Sequence, residues 1–88
     1  MGTQETSDTL WMLMARYRGA ATIPLETVCQ DHFGGMLVKV FLRKHADGEI
    51  NLPVIRMTES QKAPRYVHVS DLARYIDKRH REAEKEAR

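Results

Sequence analysis

Lys39 and Arg43 stand four residues apart in the run MLVKVFLRKHADG, residues 36–48, and both carry long hydrogen-bond donors. On a helix that spacing is one turn, so the two side chains share a face. Arg offers a guanine edge a bidentate fork and Lys offers a mobile donor, a pairing suited to base reading in a major groove. Met36 and Val40 flank them with apolar surface that fits thymine methyls, and Lys44 is placed for a phosphate. The plainer alternative is a solvated face, since charged helix faces commonly meet only water.

Other chemistry is poorly supplied. The nearest thing to a catalytic set is His68-Val69-Ser70-Asp71, but these are chain neighbours at a strand-to-helix junction, where Ser70 is expected to cap the helix. Gly34-Gly35 lacks the pattern of a nucleotide-cradling loop. Cys29 and His32 have ligand-like spacing, with His45, His68 and His80 as further imidazoles, yet a structural zinc site needs four dedicated ligands. Catalysis, metal binding and a cofactor are therefore not expected. Cys29 is the single cysteine, so no internal disulfide can form, and it reads as a small core residue.

The elements that must position Lys39 and Arg43 follow from hydrophobic period. Leu37, Val38, Phe41, Leu42 and the stem of His45 fall opposite the basic pair, and Asp47-Gly48 supplies a stop, so residues 36–46 form a two-faced helix. Pro24 suits a first helical turn, and Leu25, Val28, Cys29 and Phe33 recur at helical spacing, so a helix runs from there to Phe33. Gly34-Gly35 joins the two as a helix-turn-helix. Thr22-Ile23 before them is extended, because the residue preceding a proline is pushed out of helical geometry.

Downstream the period changes to two. Ile50, Leu52, Val54 and Arg56 against Pro53 and Ile55 predict a strand, and residues 66–69 its partner. Between them MTESQKAPR, residues 57–65, is a polar tip, so the hairpin is a wing carrying Arg56, Ser60, Gln61, Lys62 and Arg65. Alone it reads as a solvated hairpin end; beside a basic helix it reads as a second contact with the nucleic-acid backbone or minor groove. A last helix follows, capped by Ser70, with Asp71 in its first turn and Leu72, Tyr75 and Ile76 inward. Beyond Lys78 it turns polar, supported by pairs such as Lys78 with Glu82 and Glu84 with Arg88.

At the other end, Ser7 or Asp8 caps a helix over residues 9–18 that Gly19 ends. Leu10, Leu13, Met14 and Tyr17 can face a core, which leaves Trp11 and Met12 pointing elsewhere. Either the domain wraps this helix on two sides, or Trp11 and Met12 form a self-association surface. The six residues before Ser7 are polar and read as a leader.

Bulk properties limit the function classes. Eighty-eight residues suit one small domain, and 42% apolar with 30% charged residues is ordinary for a water-soluble globular chain. No apolar run approaches the roughly 18–20 residues of a membrane span, and no signal-peptide layout opens the chain, so a cytoplasmic, nucleoid-associated location is expected. The net charge of +2 is small but uneven. Residues 36–65 hold Lys39, Arg43, Lys44, Arg56, Lys62 and Arg65 against Asp47, Glu49 and Glu59, whereas residues 1–35 hold Arg16 and Arg18 against Glu5, Asp8, Glu26 and Asp31.

Several runs together resemble the pyocin activator PrtN family: LWMLMARY (10–17), IPLETVCQDHFG (23–34), DGEINLPVIRM (47–57), SQKAP (60–64) and VHVSDLARYIDKR (67–79). More distantly the layout is similar to the winged helix-turn-helix of phage excisionases and MerR-type regulators. The resemblance implies a small transcriptional activator that binds short promoter boxes and turns on phage-tail-like bacteriocin genes.

The expectation is an α+β winged helix-turn-helix with an extra N-terminal helix, a β-hairpin wing and a C-terminal helix. Its parts are a leader at 1–8, a DNA-binding domain at 9–79 and a polar helix end at 80–88. Expected partners are double-stranded promoter DNA, further copies of the chain on repeated boxes, and RNA polymerase. The rivals are an excisionase-like architectural protein that bends DNA and a phage-encoded protein-interaction module.

Overall fold

Phe41 has no exposed surface and is the largest side chain at the centre of the core. Around it, in a computed structural model describing residues 7–87, lie Ile23, Leu25, Val28, Cys29, Leu52, Val67 and Leu72, all essentially inaccessible to water. Each such aliphatic or aromatic side chain contributes about 1.5–3 kcal/mol on burial. Among the described residues four helices and a three-stranded antiparallel sheet share this core, an α+β fold whose order fits a winged helix-turn-helix.

Helix α1 (Asp8–Arg16) is capped by Ser7, whose hydroxyl accepts from the Leu10 N–H at 3.1 Å. Leu13 is buried, with Leu10, Met14 and Tyr17 packed beside it, as the spacing predicts. Tyr17 closes the helix, and Gly19, at φ +77°, donates back to the Met14 carbonyl. Residues 1–6 of the expected leader lie outside the described residues.

The extended piece before Pro24 is a true strand, β1 (Thr22–Pro24), and Pro24 is the cap of α2 (Leu25–His32) rather than its first helical residue. Gly34 and Gly35 take φ values of +66° and +81°, the left-handed region open to glycine, and the Gly35 N–H donates to the Cys29 carbonyl at 3.0 Å. That closes α2 and turns the chain into α3 (Val38–Ala46). The helix therefore starts two residues later than its period suggests: Met36 sits in the turn and Leu37 is the cap. Leu37 is consequently 64% exposed and does not join the oily face. Phe33 meets Phe41 edge-to-face at 5.1 Å, locking the helix pair, and the His45 ring lies parallel to Phe41 at 6.3 Å.

The strand expected over residues 50–56 shrinks to β2 (Ile55–Arg56). Ile50 and Leu52 are buried nonetheless, so the alternation marked burial while Pro53, which has no N–H, could not sustain a ladder. Strand β3 (Arg65–His68) is central: β1 and β2 pair on either side of it, in the order β1-β3-β2, with Ile23 opposite Val67 and Ile55 opposite Tyr66. Val69 is not strand but opens α4 (Val69–Glu86). Its cap is His68, whose Nδ1 accepts from the Ser70 N–H at 3.1 Å, so Ser70 lies inside the helix it was expected to cap. Leu72 faces inward with Ala73, flanked by half-buried Tyr75 and Ile76. On the polar end Glu82 pairs with Arg79 at 2.8 Å, not with Lys78, and the expected Glu84–Arg88 pair lies outside the described residues.

Candidate nucleic-acid interface

Helix α3 presents its sides in an order set by its period. Taking Val38 as origin, Leu42 lies about 40° round the helix, Lys39 about 100°, Arg43 about 140° and Val40 about 200°. Phe41 and His45 occupy the inward sector, so Lys39 and Arg43 point into solvent, both exposed and without an ion pair to any described residue. Val40 beside them is half-buried. Lys44 is held differently: its ammonium reaches Glu49 Oε1 at 3.4 Å, which offsets part of its charge. Met36 is half-buried in the preceding turn, its N–H donating to the Phe33 carbonyl, so it stands at the end of the basic row rather than on the helix.

The wing folds back towards this helix. A cleft of about 600 Å³ is lined on one side by Val38 and Leu42 and on the other by Gln61, Ala63, Arg65 and Tyr66. Lys39 and Arg43 lie on the sector of α3 next to Val38 and Leu42 and do not themselves line the cleft. The tip is ordered by its own side chains: Thr58 Oγ1 accepts from the Ser60 N–H, and Ser60 Oγ accepts from the Lys62 N–H at 3.1 Å. Ala63 is tucked into the core, leaving Ser60, Gln61 and Lys62 exposed.

Arg65 and Arg56 face each other across β3 and β2. Like charges directly opposite on paired strands repel, so this pairing is a local cost. Arg65 also donates to the Ala63 carbonyl at 2.8 Å and to the Gln61 carbonyl at 3.4 Å, which fixes its fork at the wing base. Its role is thus partly to hold the wing shape, a role sequence spacing did not suggest.

Two polar residues line the cleft that spacing had not placed in the site. Tyr66 is half-buried in the cleft with a hydroxyl suited to phosphate or sugar, and the alternation of residues 65–68, which buries Val67, was the available signal. Glu26, in the first turn of α2, lines the same cleft with the wrong charge for a phosphate. Trp11 and Met12 are elsewhere, on α1, 59% and 70% exposed, where α1 packs against α4.

Burial pushes the Cys29 thiol up, with Glu26 adding to it, which suppresses the thiolate that metal binding or nucleophilic attack needs. His32 Nε2 lies 3.0 Å from the Tyr17 hydroxyl. Among the described residues no three His, Cys, Asp or Glu side chains gather as metal ligands, and no helix is long and apolar enough to cross a membrane.

The family model described as pyocin activator protein PrtN aligns with residues 9–83, from the first turn of α1 to the last turns of α4. Neither the curated proteins nor the solved structures gave a match. With most of its length matched, the chain belongs to the pyocin activator PrtN family.

Proposed function

We propose that the chain activates transcription of bacteriocin genes by binding double-stranded promoter DNA through α3 and the wing. The observation that carries this reading is the row of Lys39 and Arg43, solvent-facing and free of acidic partners among the described residues, set beside a wing cleft in a PrtN-family chain. Lys39 and Arg43 read base edges, with Val40 and Met36 as apolar contacts at the flank and end of the row. Lys44, Arg56, Ser60, Gln61, Lys62 and Arg65 hold phosphates or the minor groove. The DNA-binding unit is residues 9–79. Copies on neighbouring boxes meet through Trp11 and Met12, because one domain of this size covers little DNA. RNA polymerase is the further partner that activation requires.

The test is a gel-shift titration across a salt series, with promoter fragments of pyocin-type genes and a scrambled control. Wild type is expected to shift the promoter selectively. Arg43→Ala loses about 1–3 kcal/mol of discrimination, with Lys39→Ala in the same direction. If both variants bind as wild type does while wing variants do not, α3 is not the reading helix. If no DNA shifts even at low salt, the basic face is only solvated.

A further inference from the structure

The face of α1 that carries Trp11 has a counterpart on the same molecule. Trp11 points about 160° away from buried Leu13, and Asp8, Met12 and Ala15 lie on the same outward sector. A pocket of about 470 Å³ opens between α2 and α4, walled by Phe33, Leu72, Tyr75 and Ile76, with His32 and Arg79 at its rim. Phe33 and Tyr75 rings stand 5.9 Å apart at 42°, leaving an aromatic corner suited to another flat ring.

The two features sit on opposite flanks of α4. Thr9 on α1 donates to Asp77 at 2.6 Å, which fixes the flank that α1 covers. Tyr75 and Arg79 lie about 160° round α4 from Asp77. Trp11 therefore cannot fill the pocket of its own chain. Charge favours a second copy as the occupant: Asp8, one turn before Trp11, has no ion-pair partner among the described residues, and Arg79 at the rim is 66% exposed, paired with Glu82 at 2.8 Å, with Lys78 and Glu49 lining the adjoining depression.

We propose that Trp11 of one copy seats in the Phe33–Tyr75 pocket of the next, with Asp8 meeting Arg79. Because knob and pocket occupy different surfaces, the contact is heterologous and runs on from copy to copy instead of closing as a two-fold pair. This rests on the self-association reading above and supplies its second surface, in a form that suits neighbouring boxes on DNA.

Sedimentation of the DNA-free protein over a concentration series tests it. Wild-type average mass is expected to climb with concentration, past the dimer. Trp11→Ala weakens association about thirtyfold or more, as loss of a buried aromatic anchor does. Asp8→Arg and Arg79→Glu each weaken it by about threefold to tenfold, and the double variant, which restores an opposite-charge pair at every contact, recovers most of the loss. A mixture of Trp11→Ala with Tyr75→Ala forms dimers and nothing larger, since only one good knob and one good pocket remain. A wild type that stays monomeric throughout overturns self-association itself. Association that survives in wild type, with no recovery by the charge-swapped double variant, overturns this contact and moves the interface to paired α1 helices. If Tyr75→Ala does not fold, the charge swap alone decides.

Discussion

The Tyr17 hydroxyl ties the ends of two helices together. It donates to Asp31 Oδ2 at 2.6 Å, while Arg16 reaches the same oxygen at 3.2 Å, so α1 is fastened to the last turn of α2. Burial first, then the bond to Asp31, pushes the Tyr17 phenol up to about 12. The same hydrogen bond holds the Asp31 carboxyl below its usual range, with Arg16 helping. Signs follow from linkage. The neutral phenol is the form that the fold favours, so its contribution is whole below the ordinary value of 10.0 and is lost as pH rises towards about 12. The ionised carboxylate is favoured in turn, so its contribution is present above the ordinary Asp range and disappears as pH falls through the depressed folded value. Ultraviolet titration should show Tyr17 ionising late, a step that Tyr17→Phe removes. In Tyr17→Phe, Asp31 titrates nearer its usual range. The stability gap to wild type in urea unfolding is then largest near neutrality and narrows in acid; a gap that stays constant through the acid range rules out this coupling.

At the scale of elements, the entry to α4 separates two accounts of the same four residues. Spacing favours Ser70 as the cap, because serine is a preferred capping residue ahead of an acidic first turn. Folding places His68 there instead: β3 must run on to His68 to face Thr22 of β1, so the helix cannot begin until Val69, whose N–H is taken by the Ala21 carbonyl. His68→Ala is therefore expected to cost about 1 kcal/mol through the lost cap, and Ser70→Ala less, as measured by urea unfolding at neutral pH. The reverse order would restore Ser70 as the cap. The helices were legible because their apolar positions recur every turn within one segment, as Leu25, Val28 and Cys29 do. The pairing of β1 with β3 was not, since it joins residues more than forty positions apart and Thr22-Ile23 bears no mark of its partner. At the candidate site the exposed row of Lys39 and Arg43 followed from the period alone. What the period could not convey was tertiary: Arg65 turned back onto the wing carbonyls, Lys44 bridged to Glu49, and Tyr66 drawn into the cleft.

Over the whole molecule the charge is barely positive, so the proposed DNA binding cannot rest on a general attraction of the chain for a polyanion. Attraction has to come from where the cations are. Lys39 and Arg43 stand on α3 and Arg56, Lys62 and Arg65 on the wing, where Arg65 lines the cleft together with the acidic Glu26; Glu82, Glu84 and Glu86 lie on a helix end that does not line it. Lys62 is the clearest probe, since it is exposed at the wing tip, has no ion-pair partner among the described residues, and supports no other side chain. A cation that neutralises one phosphate releases about one counterion, so Lys62→Ala should lower the slope of log affinity against log salt by about one unit. The loss should be equal on promoter and scrambled DNA, because a phosphate contact carries no sequence information. Arg43→Ala should do the opposite, lowering affinity for the promoter more than for scrambled DNA. Equal slopes for wild type and Lys62→Ala would place the wing tip off the DNA and leave α3 alone to make the contact.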